Sequence, residues 1–249
     1  MKNTKIIFKD AQGNIIKKED LLNITGKVNY EIIGIENISQ RAIGLHQKAR
    51  VYGQSGNYNK ATELLEEAHR AAPKWPYPLY DLAYTYILKK DFRKALLNYE
   101  KVDKLAPKGF FTTKVALYTL KKEMSGELPK GMYLAYLQLE WIDDPKEKRE
   151  RVNALIEHFP NYPPAWKELS YLLNDMSERK KAIEIGLKNN PDPETKGVLL
   201  INKALIFNME NKNQEAIKIL GELIFNSNST LATVELAKLT LHSITEKDR

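Results

Sequence analysis

The chain of 249 residues has no cysteine. That one absence removes disulfides, thiolate-ligated zinc and thiol nucleophiles together, and it fits a reducing compartment, so the expected location is the cytoplasm. Long apolar runs are missing as well. The opening MKNTKIIFKD is basic but holds only the short apolar run Ile6-Ile7-Phe8, less than a secretory signal needs. No stretch of about 18 apolar residues is present to form a membrane-spanning helix. The four histidines, His46, His69, His158 and His242, do not fall at a helical metal-ligand spacing, so no metal is expected. Neither G-x-G-x-x-G nor G-x-x-x-x-G-K occurs, and nothing else in the sequence suggests a cofactor. The segment GQSGN around Ser55 has the outline of a nucleophile turn, but that motif needs a strand before it, and here the flanking pattern is helical. Carboxylates are abundant, yet no pair stands out as an acid–base couple. The expectation is a protein that is not an enzyme.

What is present is an ordinary globular composition, 43% hydrophobic and 29% charged, which places the chain outside the disordered class. The net charge of +7 biases the partner toward an acidic surface or a nucleic acid. The basic residues are mostly interleaved with acidic ones, as in KEKRER (146–151) and ERKK (178–181), which is the pattern of solvated helix faces.

Residues 1–37 differ from the rest. Ile6-Ile7-Phe8 and Ile15-Ile16 flank the turn-rich DAQGN, which predicts a hairpin with Gly13 at the bend. KEDLLNI (18–24) suits a short helical turn, and Val28, Tyr30 and Ile32 alternate as in a third strand. This β-rich leader is expected to pack on the first helical repeat and shield its exposed edge. From residue 38 to 249 the signal is helical.

Two lines of sequence are nearly the same. NKATELLEEAHRAAPKW (59–75) and RKALLNYEKVDKLAPKG (93–109) place Ala61 and Ala95 34 residues apart, and Pro73 and Pro107 at the same interval. Ala49 and Ala61, like Ala83 and Ala95, sit 12 apart, one on each helix of a pair, where small side chains let two helices approach closely. Leu79, Leu82, Ala83, Tyr86, Ala95, Tyr99 and Pro107 in one unit answer to Leu45, Ala49, Tyr52, Gly56, Tyr58, Ala61, Leu65 and Pro73 in the other. This pattern resembles the tetratricopeptide repeat, a 34-residue helix-turn-helix. The spacing returns late in the chain: Ser170 to Ala182 and Ala204 to Ala216 are again 12, with Gly186 in place of the usual aromatic and Pro191 early. Between these blocks the phase is lost. The reading there is one odd helix after Gly109, then a weak pair built from GMYLAYLQLEWIDD and KEKRERVNALIEHFP, and finally a closing helix over 230–244.

The resemblance implies a right-handed, mainly α-helical solenoid whose first helices line a concave groove. Carried onto this sequence, the lining residues are His46, Arg50, Tyr77, Tyr80, Asp81, Tyr84, Lys114, Tyr118, Lys121, Lys167 and Tyr171, with Ile201 and Leu205 further on. Tyr and Arg give large contact area with few lost rotamers. The expected function is therefore an adaptor or scaffold that takes a peptide or protein partner, an acidic one by the groove's charge. Asp81 would repel the terminal carboxylate that some family members grip, so that ligand is not expected. The alternative is a helical-repeat protein for RNA or single-stranded nucleic acid. The 34-residue period and terminal prolines argue against it.

Overall fold

The computed structural model describes residues 5–10, 12–17, 21, 28–33 and 38–247. Among them are two strands, β1 (Lys5–Lys9) and β2 (Asn29–Ile33), and twelve α-helices. The helices are α1 (Gln40–Gln54), α2 (Tyr58–Ala71), α3 (Pro76–Leu88), α4 (Phe92–Leu105), α5 (Thr113–Ser125) and α6 (Met132–Gln138). After a 3-10 turn at Leu139–Trp141 come α7 (Pro145–His158), α8 (Pro163–Leu172), α9 (Met176–Lys188), α10 (Pro193–Met209), α11 (Asn213–Phe225) and α12 (Leu231–Lys247).

The boundaries follow from local chemistry. Ser39, Asn57, Asp91, Asp144, Asp175 and Asp192 each cap a helix by accepting a backbone N–H with the side chain. Such caps are worth about 1 kcal/mol each. Pro76, Pro145, Pro163 and Pro193 open their helices at the position where a missing N–H costs nothing. The paired small residues fall where the 12-residue spacing puts them: Ala49, Ala61, Ala83, Ala95, Ser170, Ala182, Ala204 and Ala216 are all at most 2% exposed.

The chain divides into two compact units, one of 38–138 and one that joins 139–247 to the leader residues 5–33. In the first, α1/α2 and α3/α4 form two helix pairs, and α5 with α6 makes a third. This corrects the reading of the middle. The helix after Gly109 has a partner, α6, which packs on α5 and α3, while α7 packs on α8. The phase slips by one residue only: Ala116, fully buried, stands 33 after Ala83. In the second unit α8/α9 and α10/α11 are pairs, with α12 laid on both α10 and α11.

The leader differs from expectation in both pairing and place. β1 pairs antiparallel with β2, in the register Ile6–Ile32 and Phe8–Tyr30, while Ile15 makes only a single bridge to Lys9. The predicted third strand is thus the main partner, and the turn at 18–24 lies mostly outside the described residues. Phe8, Ile16 and Leu21 form a small core against Leu236 and Leu239 of α12, not against the first repeat. The physical reason is the difference between the two terminal helices. α1 buries Ala42, His46 and Ala49 and exposes Gln40, Arg41, Gln47 and Lys48, with Val51 and Tyr52 the exposed apolar side chains of its last turn. On α12, Leu236 and Leu239 pack against the leader.

Candidate functional site

The first unit holds a cleft of ≈ 300 Å³ on the side of its first helices. Ala49, Arg50, Gly53 and Gln54 of α1 form one wall and Asp81, Tyr84, Thr85 and Leu88 of α3 the other, with Tyr58 and Leu65 of α2 at the base. The lining is mixed: an apolar floor of Ala49, Leu65 and Leu88 beneath a polar rim.

The rim is organised by one carboxylate. His46 donates its Nε2–H to Asp81 Oδ2 at 2.8 Å, and Arg50 Nε stands 3.9 Å from the same oxygen. His46 is itself buried and set edge-on to Trp75 at 4.9 Å and to Tyr77 at 6.0 Å, so its ring has one available orientation. Arg50 keeps a side chain 64% exposed. The arrangement presents one exposed cation at the cleft beside a carboxylate.

The sequence-predicted residues fall into four groups. Arg50 and Tyr84 line the cleft, and His46 supports it from beneath, a correction to its expected role as a surface contact. Tyr77 and Tyr80 belong to an aromatic ladder. Tyr77 meets Phe110 at 4.9 Å, and Tyr80 meets Tyr99, Phe110 and Phe111 at 5.8, 5.6 and 5.2 Å. The Tyr80 hydroxyl bonds Thr112 Oγ1 at 2.8 Å, and Thr112 in turn reaches Tyr133. Tyr80 is therefore an inter-repeat packing residue. Phe111 holds a left-handed φ of 45°, which is costly for an aromatic residue, and its contacts with Tyr77 and Tyr80 fix it there.

On α5 the basic pair turns toward α4: Lys114 meets Asp103 at 2.6 Å and Lys121 stands 3.9 Å from Glu100. Tyr118 lies under the Lys122 ammonium at 5.3 Å. The Lys114 charge is thus met by a second-helix carboxylate.

Lys167 and Tyr171 are in the other unit. Lys167 is buried, not groove-lining as expected, and pairs with buried Glu168 at 3.0 Å. Burial works against its charge, but Glu168, Tyr171 and Glu194 outweigh it and hold the ammonium well above the ordinary lysine range. Burial also pushes the neighbouring Tyr171 hydroxyl up to about 12. Asp192, which caps α10, is raised by its burial against the pull of the Thr195 bonds. This is a polar cluster that holds α8 to α10.

Among the described residues no group of three or more His, Asp or Glu is placed to hold a metal ion, and no helix is long and apolar enough to cross a membrane.

The geometry of paired helices with small residues at each crossing coincides with a family match. The tetratricopeptide repeat model matches residues 43–74 and 77–108, which are α1/α2 and α3/α4. Residues 43–108 thus match two tetratricopeptide repeats. The cleft lies between the first helices of those two repeats. No curated protein matches the chain. Solved structures with related repeats include MamA from Desulfovibrio magneticus RS-1, 14% identical over 75% of this chain and 94% of that one, with a TM-score of 0.37. YrrB, described as a tetratricopeptide-repeat protein with an unusual peptide-binding site, is 15% identical over 82% and 92%, with a TM-score of 0.34. A thermophilic tetratricopeptide-repeat protein from Thermus thermophilus is 16% identical over 81% and 99%, with a TM-score of 0.35. At overlaps this low the likeness carries no argument about superhelical geometry or partner.

Asp81 matters more than the sequence pattern alone implies, and a signal was available. His46 and Asp81 are 35 apart, one residue beyond the repeat length, so they occupy facing positions on adjacent first helices.

Proposed function

We propose that this chain is a non-enzymatic interaction module that takes a peptide segment of a protein partner in the cleft between α1 and α3. The observation that carries the reading is the cleft itself: an open concavity between first helices, with an exposed guanidinium, a tyrosine and an apolar floor. Tyr and Arg supply anchor contacts at low rotamer cost, and apolar floors provide the desolvated centre that such anchors need. The segment that fits presents an acidic side chain to Arg50 and an apolar one to Leu65 and Leu88. Asp81 holds the guanidinium on the rim, so Arg50 recognises a carboxylate side chain without the cleft as a whole being basic.

The test uses a partner isolated by affinity purification from nuclease-treated extract. Arg50→Ala and Tyr84→Ala each weaken its binding at least tenfold, about 1.4 kcal/mol, with circular dichroism unchanged. Glu66→Ala, exposed on α2, has little effect. If Glu66 matters and the cleft residues do not, the reading fails. Loss of binding on nuclease treatment, with affinity that falls steeply as salt rises, would instead favour a nucleic-acid ligand.

A further inference from the structure

In the second unit, α8, α10 and α12 lie side by side as an inner layer, with α9 and α11 packed behind them. The inner layer is not bare. Leu21 and Val28 of the leader share a cavity of only ≈ 60 Å³ with Val198, Ile201 and Leu205 of α10 and Leu236 of α12, with Arg179, Asn202 and Thr240 among its polar lining. The ribbon beside them is two-faced. Ile6, Phe8, Tyr30 and Ile32 share one side by the strand register, and Phe8 with Tyr30 belongs to the core on α12. Lys9 and Glu31 pair on the other.

We propose that the described leader residues are a built-in ligand of this inner face, and that a segment of another chain, with large apolar side chains at the places of Leu21 and Val28, competes for the same surface. The chemistry of the competitor is read from the occupant: the face is mainly apolar, and what it now holds are the side chains of Leu21 and Val28. The leader suits a removable occupant. A two-stranded ribbon of five residues a side is marginal by itself, so its order depends on the helices it covers. Ile15 and Ile33 remain exposed, so the ribbon buries only part of its own apolar surface. The helices α8 to α11, by contrast, pair with one another through Ser170, Ala182, Ala204 and Ala216 without using the leader. Removal of the ribbon would bare a mainly apolar strip along α10 and α12, which is the signature of an interaction surface. The proposal concerns the second unit alone, so failure of the Arg50 test leaves it standing.

The experiment uses the full chain and, as probe, a fluorescent synthetic peptide of residues 1–36, followed by anisotropy. A tethered ligand competes at an effective concentration on the order of millimolar, so micromolar peptide is largely excluded from the wild type. In Leu21→Asp/Val28→Asp the tethered copy is weakened, and the peptide binds at least tenfold more tightly than to wild type. Leu236→Asp added to that variant abolishes the gain. Hydrogen exchange supplies the second measurement: in the wild type the amides of β1 and β2 exchange by a sub-global opening, faster than those of α8 and α10. The proposal is overturned if the double variant binds the peptide no better than wild type. It is equally overturned if the double variant loses the fold of α8–α12, or if the strand amides exchange only with global unfolding, because the leader is then a fixed part of the core.

Discussion

Glycines inside the helices of this chain face different surroundings, so Gly→Ala substitution separates the intrinsic preference of the backbone from the packing of the repeats. At Gly197 on α10, an added Cβ would sit 2.5 Å from Thr233 Cγ2 and 2.9 Å from Thr233 Cβ, and it would also meet Oγ1. Rotation of Thr233 about χ1 exchanges which branch is struck but leaves its Cβ in place. The side chain is 4% exposed, and its Oγ1 is bonded to Thr230 Oγ1 at 2.8 Å, so relief requires α12 to move off α10. Overpacking of this kind costs about 1–3 kcal/mol, while the gain from Gly to Ala in a helix interior is about 1 kcal/mol. The net expectation for Gly197→Ala is a loss of up to about 2 kcal/mol. At Gly221 on α11 an added Cβ would have nothing within 4 Å, so Gly221→Ala should gain about 0.5–1 kcal/mol. Urea denaturation gives the two midpoints, and hydrogen exchange of α10 and α11 peptides assigns the change to the second unit. A Gly197→Ala protein as stable as Gly221→Ala would refute the close α10–α12 crossing and the repeat register that places it.

The buried ionisable groups give two further outcomes. Glu123 accepts from the backbone N–H of Gly131 at 2.8 Å and of Tyr133 at 2.7 Å, one bond to each oxygen, so Glu123→Gln turns an amide nitrogen toward a donor and loses about 1–3 kcal/mol in a neutral-pH melt. Burial raises the Glu123 pKa above the ordinary 4.5 despite those two bonds. Between the ordinary value and the raised one the folded state binds a proton more readily than the unfolded, so this site's stability is fully present below the window and falls as pH rises through it. The advantage of wild type over Glu123→Gln should therefore grow as pH is lowered toward 4.5, and a gap that shrinks over that range would contradict the assignment. Lys167→Met leaves Glu168 and Glu194 uncompensated and should cost about 3–5 kcal/mol, with much of it recovered in Lys167→Met/Glu168→Leu, as thermal melts of the three proteins would show.

The repeat was legible because its signal is local and periodic. Ala49, Ala61, Ala83 and Ala95 announce two helix crossings in one short span of sequence, and the caps at Ser39, Asn57 and Asp91 and the stop at Pro73 mark the helix ends independently. Two features weakened that signal in the middle. The third pair slips phase by one residue at Ala116, and its second helix, Met132–Gln138, is only seven residues long, too short to show a helical period twice over. The cleft was half legible. Arg50 and Tyr84 follow from the register, but the same register gives Tyr80 the same face. Only the loop carrying Phe110 and Phe111, whose course no periodicity predicts, decides that Tyr80 packs and Tyr84 lines the cleft.

The leader's place could not be read at all, and the reason is physical. Alternation in Ile6, Phe8, Tyr30 and Ile32 says that one face must be covered, but it carries no address. Both ends of a helical array are candidate addresses, since each repeat buries its apolar side only against a neighbour. What decides between them is composition far away in sequence. The first helix exposes Gln40, Arg41, Gln47 and Lys48, with Val51 and Tyr52 in its last turn, whereas the last helix carries Leu236 and Leu239 on the face where the leader packs. A chain whose first helix exposes mainly polar side chains and whose last offers apolar ones brings its N-terminal strands to the C-terminal end. Cover for α12 is then supplied by a segment that is held there by side chains and not by continuous repeat packing.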